Sequence, residues 1–450
     1  MVLSENQFFP LLKLAIPLAL TGLVQSSAFF FETIFLSHLS QEALAAGALV
    51  SWLFWTLTVI LFGTLGSINI LIAHKFGAND HKGISLVVRD GLLLAIFFAV
   101  PVFLLSWNIA PIFLLLSQNP TTTALAQSYL HAMSWGILPD FVMIAFLELI
   151  MGIGHMRIIM IFSILYVPIN IVFSYTLIFG KWGLPALGIA GAGWGMSISY
   201  WITAILLGIY IVTHEKYKDY FHNLFNFQKP SYLFELIKIG VPMGIMYSFE
   251  VAFFLVVTLL MGTFGSHILA ANQIVMQYSG TILGVIFSIG QAVTVRIGHL
   301  SGANDTYSLA KAGYAGFYMV SIFTVIIAIF YWLFPIALIS IDFDVHAANN
   351  QEVVYYAQQF FAIAAVFMIL EAGRISFLSA LRGLKDTYFP LLTSIISFWC
   401  IALPVGYYLA TRLNFGGVGL WWGMAAGTVV SVVLLYYRFK FKIKHREGSP

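Results

Sequence analysis

The chain predicts an all-α membrane protein, with twelve transmembrane helices arranged as two pseudo-symmetric six-helix bundles. Three observations carry that prediction. Apolar runs long enough to cross a bilayer follow one another from end to end, Lys and Arg collect in alternate connectors, and the second half repeats the first. Hydrophobic residues make up 60% of the 450 and charged ones only 9%, with a mean hydropathy of +0.93. Soluble domains carry about 25% charged residues, so an integral membrane protein follows. Period-two alternation is absent, which argues against an outer-membrane barrel.

A spanning helix needs about 20 mostly apolar residues. Such runs fall at 14–37, 48–74, 89–116, 128–151, 158–179 and 189–213 in the first half. The second half gives 236–262, 272–298, 311–341, 354–381, 389–410 and 418–437. The first run follows Lys13, passes through Glu32 and lacks an A-x-A cleavage pattern, so it reads as a retained helix rather than a signal peptide. Taking the connectors alternately, 18 of the 21 Lys and Arg residues lie on the side of the termini. Only Lys181 and Arg412 lie opposite, and Arg374 falls inside a span. Both termini are therefore expected in the cytoplasm. The tail R-F-K-F-K-I-K-H-R is suited to rest on anionic headgroups and so to help fix that topology.

The halves match at an offset of 225 residues. Ala73-His74-Lys75-Phe76-Gly77-Ala78-Asn79-Asp80 pairs with Gly298-His299-Leu300-Ser301-Gly302-Ala303-Asn304-Asp305, sharing the His and the whole Gly-Ala-Asn-Asp turn. Gly188 to Met196 pairs similarly with Gly416 to Met424. Gly77 and Gly302 are expected to supply the turn, with Asn and Asp capping the next helix. The longest connector on the terminal side, Thr213 to Ser231, sits at the midpoint, so the lobes are expected at 1–222 and 223–450. A parallel repeat of this kind places the path of a transported molecule between the halves.

Ionisable groups inside spans cost about 2.5–3.5 kcal/mol each on insertion scales, which makes each a site hypothesis. Glu250 stands in V-P-M-G-I-M-Y-S-F-E-V-A-F-F-L-V-V-T, and no charge follows it until Arg296. It has no partner on its own helix. Glu371 and Arg374 are three apart on one helix and are placed to pair, which would give Glu371 a partly structural role. Glu32, Glu148 and Asp140 complete the set, and Asp140 is the repeat mate of Glu371 at an offset of 231. Asn170 and Ser174, four apart, share a helix face suited to a proton or small cation beside Glu32, or to hydrogen bonding between helices. Tyr247, Tyr278, Gln273 and Gln277 are candidates to line a cavity with Asp140, Glu148 and Arg374, the aromatic rings stacking on a flat organic cation. Two carboxylates such as Glu250 and Glu371 could bind a proton, or hold a dehydrated sodium ion, since hard cations take oxygen ligands.

Other chemistries are excluded or unsupported. There is no G-x-x-x-x-G-K-[ST], H-E-x-x-H or G-x-S-x-G, and the histidines are scattered, so neither an ATPase nor an enzyme of those classes is expected. Cys400, the single cysteine, allows no internal disulfide and is expected to be a small buried hydrophobe. A formal charge of +3 spread over loops does not suggest nucleic acid.

Several stretches together resemble the multidrug and toxic compound extrusion (MATE) family, most closely its NorM-type branch. They are F-F-E-T-I-F-L-S-H-L (30–39), N-I-V-F-S-Y-T-L-I-F-G-K-W-G-L-P-A-L-G-I-A-G-A-G (170–193), V-P-M-G-I-M-Y-S-F-E (241–250), V-R-I-G-H-L-S-G-A-N-D (295–305) and L-R-G-L-K-D-T (381–387). The resemblance implies that Glu250 is the helix-seven acid that binds the coupling cation and Glu371 the helix-ten acid, with Glu in place of Asp. It implies that Glu32 stands for the family's helix-one aspartate and Asn170 for its helix-five asparagine. Ser174 departs from the pattern, since many members have an aspartate there. That departure puts a fully built cation site in the first half in doubt and points to the helix-seven and helix-ten pair.

The function implied is a secondary antiporter of the bacterial inner membrane. It would exchange amphipathic, often cationic organic compounds for H+ or Na+, with no cofactor, membrane lipids as its surroundings, no nucleic acid partner and a monomeric state. The competing expectation is a lipid-linked oligosaccharide flippase of the same superfamily, which calls for a basic cavity. A passive channel or receptor would need neither paired halves nor an ion gradient.

Overall fold

The computed structural model describes residues 5–115, 118–221 and 229–447. Among them the regular structure is helical, and eleven helices are long and apolar enough to cross a membrane, twelve when one bent pair is counted as a single span. In chain order these are α1 (Glu5–Ser37), α2 (Gln41–Gly77, interrupted at Gly66), α3 (His81–Trp107) and α4 (Pro120–Ser134 with Ile137–Ile153). They continue with α5 (Met156–Phe179), α6 (Ile189–Thr213), α7 (Leu233–Thr263), α8 (Ser266–Gly302) and α9 (Thr306–Leu333). The last three are α10 (Gln351–Gly383), α11 (Tyr388–Thr411) and α12 (Gly417–Glu447).

The chain divides into two compact units, Pro17–Gly244 and Met1–Ile16 together with Ile245–Pro450. The boundary expected at 222/223 lies in 222–228, outside the described residues. In the second unit α10 is the most buried span and packs against α8, α9 and α12. The start of α1, longer than the apolar run predicts, belongs to this unit: Leu11 and Ala15 enter its core and Arg296 Nε donates to Gln7 at 2.9 Å.

The repeat holds at the level of atomic contacts. Asp80 and Asp305 each cap the following helix, accepting from Gly83 N–H at 2.8 Å and from Ser308 N–H at 3.0 Å. The turn itself corrects the expectation: Gly77 and Gly302 are the last residues of their helices, and Asn79 (φ 54°) and Asn304 (φ 56°) take the left-handed conformation. Asn tolerates that region because its short amide side chain bonds locally. A Cβ on Gly152 would lie 2.9 Å from the Asn69 carbonyl, and one on Gly383 would lie 2.7 Å from the Thr294 carbonyl. These are the same contact in the two units, at offsets of 231 and 225.

Besides α2 with its interruption at Gly66, and the run 89–116, which splits into His81–Trp107 and Ala110–Leu115, three more spans depart from single straight helices. The fourth bends by 53° between Ser134 and Ile137. Gly136 there lies so close to α6 that a Cβ would meet Ser197 at 2.8 Å. Ser197 Oγ donates to the carbonyls of Ala132 (2.7 Å) and Met133 (3.2 Å), satisfying backbone groups freed by the break. The run 311–341 ends its first helix at Leu333, and Pro335 starts a separate short helix, Pro335–Asp342. In α11, Ile395–Ala402 is π-helical. The repeat offset grows from 231 before this stretch (Gly154 and Lys385, both positive φ) to 232 after it (Trp182 and Asn414, both φ 56°). The π turn absorbs one extra residue. Cys400 lies on this stretch and is exposed, not buried as expected.

Candidate functional site

In the unit Ile245–Pro450, three helices bring an ionic cluster together. Glu250 comes from α7, Glu371 and Arg374 from α10, and Ser394 from the turn of α11 just before the π segment. All three charged side chains are buried. Arg374 Nη1 donates to Glu250 Oε1 at 2.7 Å and Nη2 to Oε2 at 3.3 Å. Its Nε lies 2.9 Å from both oxygens of Glu371, and Nη2 lies 2.5 Å from Oε1. Ser394 Oγ donates to Glu250 Oε1 at 2.9 Å, and the guanidinium carbon lies 5.0 Å from the Phe398 ring centroid.

The i, i+3 pair foreseen on α10 is present, and Glu250, without a partner on its own helix, is paired all the same. Its partner comes from another helix, 124 residues away, which spacing along one helix cannot reveal. Two carboxylates and one guanidinium leave the cluster with a single formal negative charge. The position between the carboxylates that a sodium ion would take is filled by Arg374.

The unit Pro17–Gly244 contains a partly open cavity of about 300 Å³, at the lower end of the size of small-molecule sites. Its wall carries Glu32, Asp140, Asn170, Gln25, Ser163 and Thr203, with eight aromatic residues, Phe29, Phe54, Trp55, Phe62, Tyr129, Phe162, Tyr166 and Tyr200. None of the lining residues is basic. Glu32 accepts a hydrogen bond from the Tyr129 hydroxyl. Asp140 lies in the first turn of the second half of α4, where the helix break turns the positive end of the peptide dipoles toward its carboxylate. No described side chain is hydrogen-bonded to that carboxylate. Tyr166 and Tyr200 stack with centroids 5.3 Å apart, and the Asn170 Nδ2 and Thr203 Oγ1 atoms are buried without a hydrogen-bond partner.

The remaining candidates are placed elsewhere. Ser174 lies one turn beyond Asn170, buried against Gly195 of α6, where an added Cβ would collide with it. Glu148 accepts from Asn69. Tyr278 is half-buried and donates to the Leu338 carbonyl at 2.9 Å, while Gln273 and Gln277 are exposed on α8. The Tyr247 ring is already covered by the Arg382 guanidinium, 4.9 Å from its centroid. Reading single residues missed Gln25, Met143, Ser163, Tyr166 and Tyr200. The repeat offsets carried a signal for the first three, since they match Glu250, Arg374 and Ser394.

Paired helical repeats, buried acids and an aromatic cavity define a multi-pass membrane transporter. The MatE family model matches residues 17–176 and again 242–408, each copy beginning at the proline of a repeat. The chain is 30% identical over 440 residues to the probable multidrug resistance protein NorM of Brucella suis biovar 1 (strain 1330), covering 96% of this chain and 93% of that one. It is 31% identical over 441 residues to the multidrug resistance protein NorM of Burkholderia vietnamiensis, covering 97% and 95%. Among solved structures, a MATE protein in complex with MaL6 superposes with a TM-score of 0.88 at 18% identity over 99% and 98% of the two chains. An outward-facing multidrug resistance MATE transporter of the MOP superfamily gives 0.87 at 18% identity, over 98% and 97%. The chain belongs to the MatE family of multidrug transporters.

Proposed function

We propose that this carrier, which needs no cofactor, exports amphipathic, often cationic organic compounds in exchange for H+ or Na+. It works by alternating access of the lobes 1–222 and 223–450, as a monomer in the lipids of the bacterial inner membrane, with both termini cytoplasmic. The observation that carries this reading is the cavity of Pro17–Gly244, in which two acids face eight aromatic residues with no base among the lining residues. Aromatic faces favour a flat apolar cation, and the acids favour its charge. Drug and ion compete for the same carboxylates, so binding of one lowers the affinity for the other by the same factor. Loading from the outside with a proton or sodium ion releases the drug; loss of that ion inside restores the negative charge that attracts the next.

Sequence reasoning placed coupling at Glu250 and Glu371. Arg374 pairs with both, so the exchangeable site is assigned instead to Glu32 and Asp140, with Asn170 beside them. The pair on α7 and α10 is closed by its own guanidinium and acts as a second, fixed ionic layer. A flippase for lipid-linked sugars gains no support, because a pyrophosphate calls for basic lining residues.

The test is dye efflux from membrane vesicles under imposed pH or sodium gradients. Glu32→Gln and Asp140→Asn are expected to abolish gradient-driven efflux while the protein is still made and inserted. Efflux at the unmodified rate in both variants would remove the cavity acids from the mechanism.

A further inference from the structure

The two units carry one constellation in two states. Pro17 and Pro242 set a register of 225 residues on α1 and α7, which matches Gln25 with Glu250. At the offset of 231 that holds for α4 with α10 and for the first turns of α5 with α11, Asp140 matches Glu371, Met143 matches Arg374, and Ser163 matches Ser394. The register is checked by geometry within each unit. Gln25 Nε2 and Ser163 Oγ are hydrogen-bonded at 3.3 Å, and Ser394 Oγ and Glu250 Oε1 at 2.9 Å. In the unit Ile245–Pro450 the centre of the constellation is a guanidinium. In Pro17–Gly244 a thioether, Met143, stands at the matching position, and all four matched residues line the cavity.

We infer that this cavity takes organic cations with a flat, N–H-bearing head of the guanidinium or amidinium kind, held at Asp140 and Gln25 as the guanidinium of Arg374 is held at Glu371 and Glu250, with Ser163 bonded to Gln25 as Ser394 is to Glu250. The inference rests on the reading of the cavity as the substrate site and names the chemical class it selects. Asp140 offers two acceptor oxygens to a fork of parallel N–H groups, the geometry in which guanidinium and carboxylate bind most strongly. Gln25 supplies one further amide oxygen, and its Nε2 is engaged by Ser163. Tyr166, the mate of Phe398 at the offset of 232 reached across the π turn, lines the same cavity, as Phe398 faces the Arg374 guanidinium. A quaternary ammonium head carries the same charge but no N–H, and would leave the Asp140 and Gln25 acceptors unpaired. The difference is expected to be about tenfold or more in affinity.

The experiment compares two probes with one aryl body and one charge, benzylguanidinium and benzyltrimethylammonium. Each is titrated against the purified full chain in detergent, with binding read by calorimetry. At least tenfold tighter binding of benzylguanidinium is expected, with the two probes brought within about threefold of each other in Asp140→Asn. The first comparison needs no variant, so a poorly folding substitution cannot mask it. Equal affinity of the two probes, both weakened by Asp140→Asn, overturns the head-group selectivity and leaves the cavity as the substrate site. Binding of neither probe, with dye efflux intact in Asp140→Asn, overturns the cavity reading and this inference with it.

Discussion

Replacing Arg374 by Met, the residue at the matching place in the other unit, tests whether the ionic cluster of Ile245–Pro450 is closed by its own cation. The guanidinium makes its contacts to Glu250 and Glu371 at 2.5–3.3 Å, and both carboxylates are buried. Removing one partner of a buried ion pair costs about 3–5 kcal/mol, because an uncompensated charge stays behind. Here two carboxylates lose the same partner, so the upper end applies. If the unit, about 220 residues, unfolds as one body, the midpoint should fall by roughly 10–20 °C in detergent. The double variant Glu250→Gln with Arg374→Met rebuilds the glutamine, acid and methionine arrangement of Pro17–Gly244. With one buried carboxylate instead of two, it should recover about half of the loss. Thermal unfolding followed by loss of the monodisperse peak checks both. A single variant within 2 °C of the parent, or a double no more stable than the single, would refute the reasoning.

Four further outcomes are expected. Gly152→Ala and Gly383→Ala each place a methyl within 3 Å of a carbonyl on the neighbouring helix, and each should cost about 1–3 kcal/mol by thermal unfolding. Asp80→Ala should cost about 1 kcal/mol through its lost helix cap, and Asp80→Asn much less. The Asp80 carboxyl is held below its ordinary value, mainly by its hydrogen bond to Lys75. Its stabilisation is therefore present above about pH 4 and fades as pH falls through the lowered folded value, so stability curves of parent and Asp80→Ala should converge in acid. Burial, and then the charges of Lys216 and His214, push His155 below its ordinary value. The unfolded chain takes up that proton first, so stability should begin to drop below about pH 6.5, and the drop should shrink in His155→Gln. Tyr129→Phe removes the donor to Glu32 and should alter the pH dependence of dye efflux more than its maximal rate, measured in vesicles across pH 5.5–8.5.

The twelve spans were legible because a bilayer asks one coarse question of a sequence, and long apolar runs answer it. Where those runs break was legible only in part, as at Pro335. Gly136 looks like any glycine in a membrane helix, but Pro139, three residues on, lacks the N–H that would reach the Trp135 carbonyl and marks the bend, which the close approach of Gly136 to Ser197 on α6 then accommodates. The extra residue in α11 leaves no mark on hydropathy, since a π turn is as apolar as the α-helix around it. At the site, the spacing of Glu371 and Arg374 gave one pair at once. The bond from Arg374 to Glu250 needed α7 and α10 to be neighbours, which periodicity on a single helix cannot supply.

The repeat explains why scaffold and site differ in how readily they could be read. Its matching positions fall where the backbone leaves no latitude: Gly152 and Gly383 against a facing carbonyl, and Asp80 and Asp305 on the first turn of a helix. At the two glycines a side chain would press on a facing backbone, and at the two aspartates a residue without a side-chain acceptor would leave a helix N–H unpaired, so both halves keep the same solution. The acid positions are side-chain problems and can be solved in different ways on the same frame. One half has Glu250, Glu371 and Arg374, a cluster that satisfies its own charges and is buried. The other has Gln25, Asp140 and Met143, the same three places with no base among them, around a cavity. A buried carboxylate without a resident cation is costly, and that cost is lowest when a cation arrives from outside. On this argument the asymmetry between the halves, more than any single acid, sets which of them exchanges its cation.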